Sequence, residues 1–241
     1  FDNYFGMLNP YRESNGWNIG DDGKTYTVDG LKDDNVDLTT TVTNQDDEGA
    51  TFPLFKLAST CIDDATSAWL ASFGDINRYN FTATRPILMD GFVHNAEGFA
   101  KACNSSGTCS GTFNDTTGRR AMGYYDQGFL NYYYYMASQF ALSDRWFSPV
   151  ASKSVSNRLG TFTGGTTQGL VKDPSQDDHL GQLTINTIFQ ELDQSSVSWK
   201  IYYTSTQGFC YANGTACTGG ANANFPATWF SYFTYSSKYL Y

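Results

Sequence analysis

A short polar stretch in the second half of the chain contains several hydroxyl groups beside a cation. Residues 148–158 include four serines, and the stretch ends with Asn157 and Arg158. A serine hydroxyl is a poor nucleophile at neutral pH, so a metal ion or another positive group must stabilise its alkoxide. The guanidinium of Arg158 could bind a phosphate or pair with an acidic neighbour, and the amide of Asn157 could bind a phosphoryl oxygen or hold the loop. Serines in polar loops are most often turn or cap residues, so both interpretations stay open here.

The two histidines of the chain are weaker candidates for chemistry. The sequence Asp177-Asp178-His179 contains side chains that suit a metal, but it lies in a polar loop between Pro174 and Gly181. His94 lies close to the predicted start of a helix, where a surface or capping role is more frequent than a catalytic one. We therefore assign neither histidine to the site.

Length and composition limit the classes of protein that the chain can belong to. With 241 residues, of which 40% are hydrophobic, one globular unit is expected. Lys and Arg number 15 against 24 acidic residues, and no basic run is present, which argues against a nucleic-acid partner. No stretch approaches the roughly 20 apolar residues of a membrane span, so we expect no transmembrane segment.

Glycosylation signals and cysteines indicate a secreted protein. The two cysteines Cys103 and Cys109 bracket one small polar loop, and Cys210 and Cys217 bracket another, so each pair could form a local disulfide. Cys61 is then left over, either as a free thiol or with a partner elsewhere. Four sequons predict N-linked glycans, at Asn80, Asn104, Asn114 and Asn213.

Helices and strands that must position these residues follow from the apolar spacing. A Tyr-rich helix is predicted from Asp126 to Leu142, and its spacing of three and four favours a largely buried core helix over a stacking platform for sugars or bases. A strand is predicted from Val197 to Tyr203, and helices and strands in succession favour an α/β fold. A helix is predicted from Cys61 to Phe73, and Gly74-Asp75 would end it. Two more are predicted, one from His94 to Cys103 and one that Thr184 would cap and that would continue to Leu192.

Two stretches of the sequence resemble the phosphoesterase family of phospholipase C and acid phosphatase type. The opening FDNYFG, residues 1–6, is similar to a family motif, and residues 122–166 are similar to a longer run. That run contains Gly-Tyr-Tyr, a Tyr-rich helix, FALSDRWF and then Asn157-Arg158. Shorter blocks at 89–93, 188–192 and 197–202 also look like family blocks in family order, so the resemblance covers most of the chain.

This resemblance implies a fold and a nucleophile. The fold would be an α/β/α sandwich of the alkaline-phosphatase-like kind, forming a single, partial catalytic domain over residues 1–241. Ser154 corresponds to the family's hydroxyl residue three positions before Asn157-Arg158, so the resemblance makes it the nucleophile and a ligand of a divalent metal ion. A helix N-terminus at Ser154 would direct backbone N–H groups at the phosphate. Asn157 and Arg158 would bind substrate or support the site.

Three features depart from the family pattern or lie outside the chain. Ser156 stands where many members have proline, so a shift of the alignment to Ser152 or Ser156 stays open. Asp63-Asp64-Ala65 replaces the Asp-His of many relatives, and we expect the two aspartates to be helix-entry residues. The other metal ligands of the family are expected before residue 1 and after residue 241, so we expect the isolated chain to be inactive.

The function implied by the resemblance is that of a secreted, metal-dependent phosphodiesterase that cleaves phospholipid head groups through a serine. An acid phosphatase acting on phosphomonoesters is the alternative within the class. A non-catalytic secreted glycoprotein or glycan-binding module is the alternative from another class, because it would also explain the sequons, the disulfides and the acidic charge.

Overall fold

The structure of the chain, a computed structural model, describes residues 1–63, 65, 68–171, 183–202 and 239–240. The chain divides into two compact units, one of residues Phe1–Phe147 and one of residues Ser148–Tyr241. The single catalytic domain over residues 1–241 stays a prediction.

Short helices and two-stranded sheets make up the described parts of both units, and they are compatible with the predicted α/β class. The α/β/α sandwich stays a prediction. The helices of the first unit are α1 (Asp2–Phe5), α2 (Leu8–Ser14), α3 (Trp69–Asn77), α4 (Phe92–Ser106), a 3-10 helix (Arg119–Met122) and α5 (Asn131–Gln139). Its strands are β1 (Thr43–Gln45), antiparallel to β2 (Thr51–Pro53), and β3 (Phe55–Lys56), parallel to β4 (Gly123–Tyr124). The second unit contains α6 (Ser154–Phe162), α7 (Ile188–Gln194) and β5 (Ile201–Tyr202), parallel to β6 (Tyr239–Leu240).

The core of the first unit brings together the two stretches that carry the family resemblance. The side chain of Asn3 in α1 donates to the carbonyl of Gly123 at 2.7 Å, and the amide of Tyr125 donates to the carbonyl of Asn3 at 2.8 Å. These bonds fix the opening motif against the end of β4. The buried cluster at this junction consists of Leu8, Leu57, Tyr125, Leu130 and Tyr134.

Helices α3 and α4 pack against each other through one buried asparagine. The side-chain amide of Asn95 donates to the carbonyl of Ala71 at 2.9 Å and to Asp75 at 2.7 Å. Its oxygen accepts from the hydroxyl of Tyr79 at 2.7 Å. Because every polar group of this buried amide has a partner, the contact stabilises the helix pair.

The predicted start of the first long helix was wrong. Helix α3 begins at Trp69 and continues through Gly74 to Asn77, whereas Ile62 forms a parallel bridge with Phe113. The carbonyl of Cys61 accepts the amides of Thr112 and Phe113, at 2.7 and 3.1 Å. Tertiary pairing therefore takes residues 61–63 away from the helical conformation that their apolar spacing favours.

The Tyr-rich helix is shorter and far more exposed than predicted. A turn delays its start, since the carboxylate of Asp126 accepts the amide of Gly128 at 2.9 Å. Tyr134 is fully buried, but the other three tyrosines of the run are at least half exposed. The prediction of a largely buried helix was wrong because only one face of α5 reaches the core.

The other two helices were predicted with different bounds. The predicted helix from His94 to Cys103 is confirmed and extends from Phe92 to Ser106, where Gly107 ends it in the left-handed region with φ of 67°. Helix α7 is capped by Thr187, whose hydroxyl accepts the amide of Gln190, and not by Thr184. The amide of Thr184 instead donates to the side chain of Gln168 at 3.1 Å.

The local disulfide between Cys103 and Cys109 is confirmed. Cys61 is exposed and has no disulfide partner among the described residues. The predicted pair Cys210 and Cys217 lies outside the described residues.

Candidate active site

Helix α6 begins at Ser154 and has one buried and one exposed face. Its buried residues, Ser156, Leu159 and Gly160, are three and four positions apart and form the inner face. Lys153 occupies the N-cap position and makes no side-chain capping bond. The helix therefore begins with a positive end that no N-cap side chain satisfies.

Asn157 holds the loop that leads into this helix. Its side-chain amide donates to the carbonyls of Ser152 at 2.8 Å and Lys153 at 3.1 Å. Its side-chain oxygen accepts the amide of Val150 at 3.2 Å. With these three bonds the side chain fixes residues 150–153 immediately before Ser154, which is the supporting arrangement considered from the sequence.

The three serines considered as nucleophiles lie in different environments. The hydroxyl of Ser152 donates to the carbonyl of Val171. Ser156 is fully buried. Ser154 is exposed as the first residue of α6, and its hydroxyl has no hydrogen-bond partner among the described residues.

Arg158 lies one helical turn after Ser154, on the same exposed face of α6. Side chains four residues apart on a helix are neighbours, with about 5–6 Å between their Cβ atoms. No acidic side chain in the described part of the chain pairs with Arg158. Its guanidinium is therefore within reach of an anion held at Ser154.

Among the residues that the structure describes, two groups of side chains bring potential metal ligands together, and neither includes Ser154. Ligand atoms of Asp46, Glu48 and Glu97 lie within 4.8 Å of one another. Carboxylates suit a hard divalent cation. However, the ammonium of Lys101 lies 2.8 Å from Glu48 and also contacts Glu97, and these carboxylates raise the pKa of Lys101. The cluster thus carries its own counter-charge and does not fit a resident metal ion.

The second group consists of Asp63, Cys103 and Cys109. Because the two cysteines form a disulfide, they offer no thiolate to a metal ion. The prediction that Asp63 is a helix-entry residue was wrong, since α3 begins only at Trp69. Its carboxylate accepts the amides of Ser110 at 2.8 Å and Gly111 at 2.9 Å, and these bonds hold its pKa below the usual range.

His94 belongs to a cluster on the first unit that the sequence did not indicate. Its Nδ1 contacts the carboxylate of Asp47. The same carboxylate accepts a hydrogen bond from the guanidinium of Arg78 at 3.0 Å. The ring of Tyr79 lies edge-on to the imidazole, with 5.7 Å between ring centroids. Asp47 and Arg78 come from distant parts of the chain, so no local pattern could have predicted this contact.

The described sequons lie on the surface. Asn80, Asn104 and Asn114 are exposed. Asn104 and Asn114 form a reciprocal pair, in which each side-chain amide donates to the other's oxygen at 3.1 Å. Asn213, Asp64 and the sequence Asp177-Asp178-His179 lie outside the described residues.

None of the helices in the described part of the chain combines the length and apolar character needed to cross a bilayer. The sequence model of the phosphoesterase family matches residues 1–240. No curated protein matches the chain.

Proposed function

This chain belongs to the phosphoesterase family, and from that premise we propose that it is a secreted phospholipase C-type enzyme with Ser154 as its nucleophile. The family supports a hydrolase of phosphoric esters in general. Phospholipid head-group phosphodiesters are the proposed substrates within that class.

The arrangement of Ser154 and Arg158 on α6 carries the proposal. Ser154 combines exposure, a hydroxyl with no partner among the described residues and a position at the positive end of a helix. Arg158 adds a cation on the same face. A phosphoryl group bound there would meet backbone N–H groups and a guanidinium, which are the donors that stabilise negative oxygens during displacement at phosphorus.

In the proposed reaction, the oxygen of Ser154 attacks phosphorus while the bond from phosphorus to the glycerol oxygen breaks. The hydroxyl proton leaves with the diacylglycerol alcohol. Water then hydrolyses the phosphoserine ester and releases the phosphorylated head group, which restores the serine. Arg158 binds the non-bridging oxygens in both steps, and Asn157 keeps the loop before Ser154 in place.

A divalent metal ion with Ser154 as one of its ligands is part of the proposal, because it would stabilise the serine alkoxide when bound. Since neither group of potential ligands in the described residues fits such an ion, no step above depends on it. Secretion and N-linked glycans are also proposed, and the exposed sequons and the disulfide between Cys103 and Cys109 support them.

Replacement of Ser154 by alanine tests the proposal in the full-length protein. We expect kcat/KM for phosphatidylcholine, measured with a divalent metal present, to fall by about a thousandfold or more. Ser148→Ala is the matched control, since Ser148 is another exposed serine of the same loop. It should leave turnover unchanged.

Several outcomes would contradict the assignment. Full activity of Ser154→Ala would exclude this nucleophile, and an equal loss in Ser152→Ala alone would move the role to that residue. Faster turnover of a simple aryl phosphate than of phosphatidylcholine would indicate an acid phosphatase. A wild-type protein that hydrolyses neither substrate and binds glycans would be a non-catalytic module.

A further inference from the structure

The outward side of α5 is an unusual surface for a helix of a small unit. In the run of four tyrosines, Tyr134 is 0% exposed, whereas Tyr132, Tyr133 and Tyr135 are 64%, 50% and 51% exposed. Tyr134, together with the partly buried Ala137, packs α5 against the core. The other three tyrosines of the run are not part of the buried core cluster.

These tyrosines continue into an aromatic surface formed by α1. Tyr4 is 45% exposed, and its ring lies 5.9 Å from the ring of Tyr133, which lies 6.0 Å from that of Tyr132. Phe1, the N-cap residue of α1, is 43% exposed and contacts Phe5 of that helix. The four exposed rings, Phe1, Tyr4, Tyr132 and Tyr133, are called the aromatic face below.

The aromatic face rests on a rigid support. Tyr4 packs edge-on against the buried ring of Tyr125 at 5.7 Å, and Tyr125 donates its amide to Asn3 in α1. The hydroxyl of Tyr134 donates to the carbonyl of Tyr125 at 3.1 Å. Helices α1 and α5 are thus joined through the core, which holds the backbone beneath these rings in place.

The charge around this surface restricts what it can bind. The segments that form it, residues 1–11 and 121–143, contain only Asp2 and Asp126 as charged side chains, although the whole chain has a net charge of −9. Asp126 is paired with Lys56 at 2.5 Å. The cations beside these segments are paired, Lys56 with Asp126 and Arg145 with Asp29, so neither is free to attract an anionic surface, and the fitting partner is one without net charge.

We propose that the aromatic face docks this protein on the surface of a zwitterionic phospholipid layer. A tyrosine places an apolar ring among the acyl chains while its hydroxyl stays at the head groups, and tyrosines are enriched at this depth of membranes. The proposal rests on the proposed function, because an enzyme that cleaves head-group esters must reach them in a lipid layer. Binding without charge attraction should be weak and insensitive to salt.

Co-flotation with phosphatidylcholine vesicles tests the proposal with the full-length protein. The double variant Tyr132→Ser, Tyr133→Ser should bind vesicles about tenfold more weakly. The double variant Tyr132→Trp, Tyr133→Trp should bind at least as well as the wild type. Tyr26→Ser is the matched control, since Tyr26 is also 50% exposed but lies outside the aromatic face.

Hydrolysis of a soluble aryl phosphate by the same proteins separates this proposal from the proposed function. We expect that hydrolysis, and the melting temperature, to be the same in the wild type and in the serine variant. Vesicle binding without any hydrolysis would refute the proposed function and keep the docking surface. Equal vesicle binding by the serine variant, or none by the wild type, would overturn the docking surface. A marked fall in the melting temperature of the serine variant would also overturn it, because it would show that protein covers the rings. The docking surface would likewise be overturned if the wild type bound a soluble glycan and not vesicles, and the serine variant lost that glycan binding.

Discussion

Asp63 joins two distant segments through one carboxylate. It accepts the amides of Ser110 and Gly111, and the hydroxyl of Ser110 at 3.1 Å. These bonds hold the loop that follows the disulfide against residues 61–63. Hydrogen bonds to an ionised carboxylate are stronger than those to a neutral group, and they favour the charged form, which lowers its pKa.

The lowered pKa of Asp63 predicts a stability difference that depends on pH. A carboxyl group with a lower pKa in the folded state stabilises the protein above its ordinary pKa of about 4, and this contribution is lost as pH falls through the folded pKa. Asp63→Asn should therefore melt at a lower temperature than the wild type at pH 7, with a gap that narrows below about pH 4. Thermal unfolding over this pH range measures the gap.

Asp21→Asn is the control for this prediction, since Asp21 is exposed and makes no hydrogen bond with a described residue through its side chain. It should melt like the wild type at each pH. If the difference in melting temperature between Asp63→Asn and the wild type stays constant down to pH 3, the negative charge of Asp63 contributes nothing to stability.

Among single residues, the sequence predicted those whose chemistry is local. The disulfide of Cys103 and Cys109 follows from a short loop, and the three bonds of Asn157 all reach residues within one or two turns. Asp63 was assigned to a helix instead, because its partners lie more than 40 positions along the chain and leave no local trace. The nucleophilic role of Ser154 stays a prediction from the family resemblance.

At the scale of elements, α6 depends on a close contact with the loop that precedes it. Gly160 lies on the buried face of the helix, and a Cβ atom added there would come 2.6 Å from Cγ of Pro149. The proline ring cannot rotate away, so a larger residue must shift either the helix or the loop that leads to Ser154.

Gly160→Ala is therefore expected to destabilise the protein by about 1–3 kcal/mol and to lower kcat by displacing Ser154. Gly98→Ala is the control, because Gly98 lies in α4 with open space around its Cα. This control should stabilise the protein by about 0.5–1 kcal/mol, the usual gain in a helix. Chemical denaturation and steady-state kinetics measure both effects. A stabilised, fully active Gly160→Ala would contradict the close contact.

The helices show where periodicity succeeds and where it fails. Helix α4 was found because its apolar positions face one core and Gly107 ends it. The start of helix α3 was predicted too early in the chain, because Ile62 forms a bridge with Phe113 and does not belong to the helix. In α5 the tyrosines satisfy a helical pattern at every position, so spacing alone could not distinguish the buried ring of Tyr134 from its exposed neighbours.

At the scale of the whole molecule, two large aromatic residues lie at the boundary of the two units. The first unit ends at Phe147, and Trp146 and Phe147 are 80% and 79% exposed. Protease cleavage needs an exposed segment without secondary structure, and residues 144–150 have no helix or strand.

Limited digestion with chymotrypsin should therefore cut first after Trp146 or Phe147 and release fragments that correspond to the two units. Mass spectrometry of the early products identifies the cut. The double variant Trp146→Ser, Phe147→Ser should lose this first cut and leave the slower ones unchanged. An earlier cut after Phe81 or Phe140, which are also exposed, would show that the boundary is protected.

The parallel pairing of β3 with β4 also favours one order of folding in the first unit. Phe55 and Gly123 are register partners, yet α3, α4 and the disulfide loop all lie between them in the chain. Closing so long a loop has an entropic cost before any contact at its ends offsets it. The helices can form early from local contacts, whereas the junction of α1 with β4 must wait for the ends of that loop to meet. We therefore expect newly synthesised chains to expose the aromatic core until this late step, and slow synthesis and low temperature to favour the recovery of native protein.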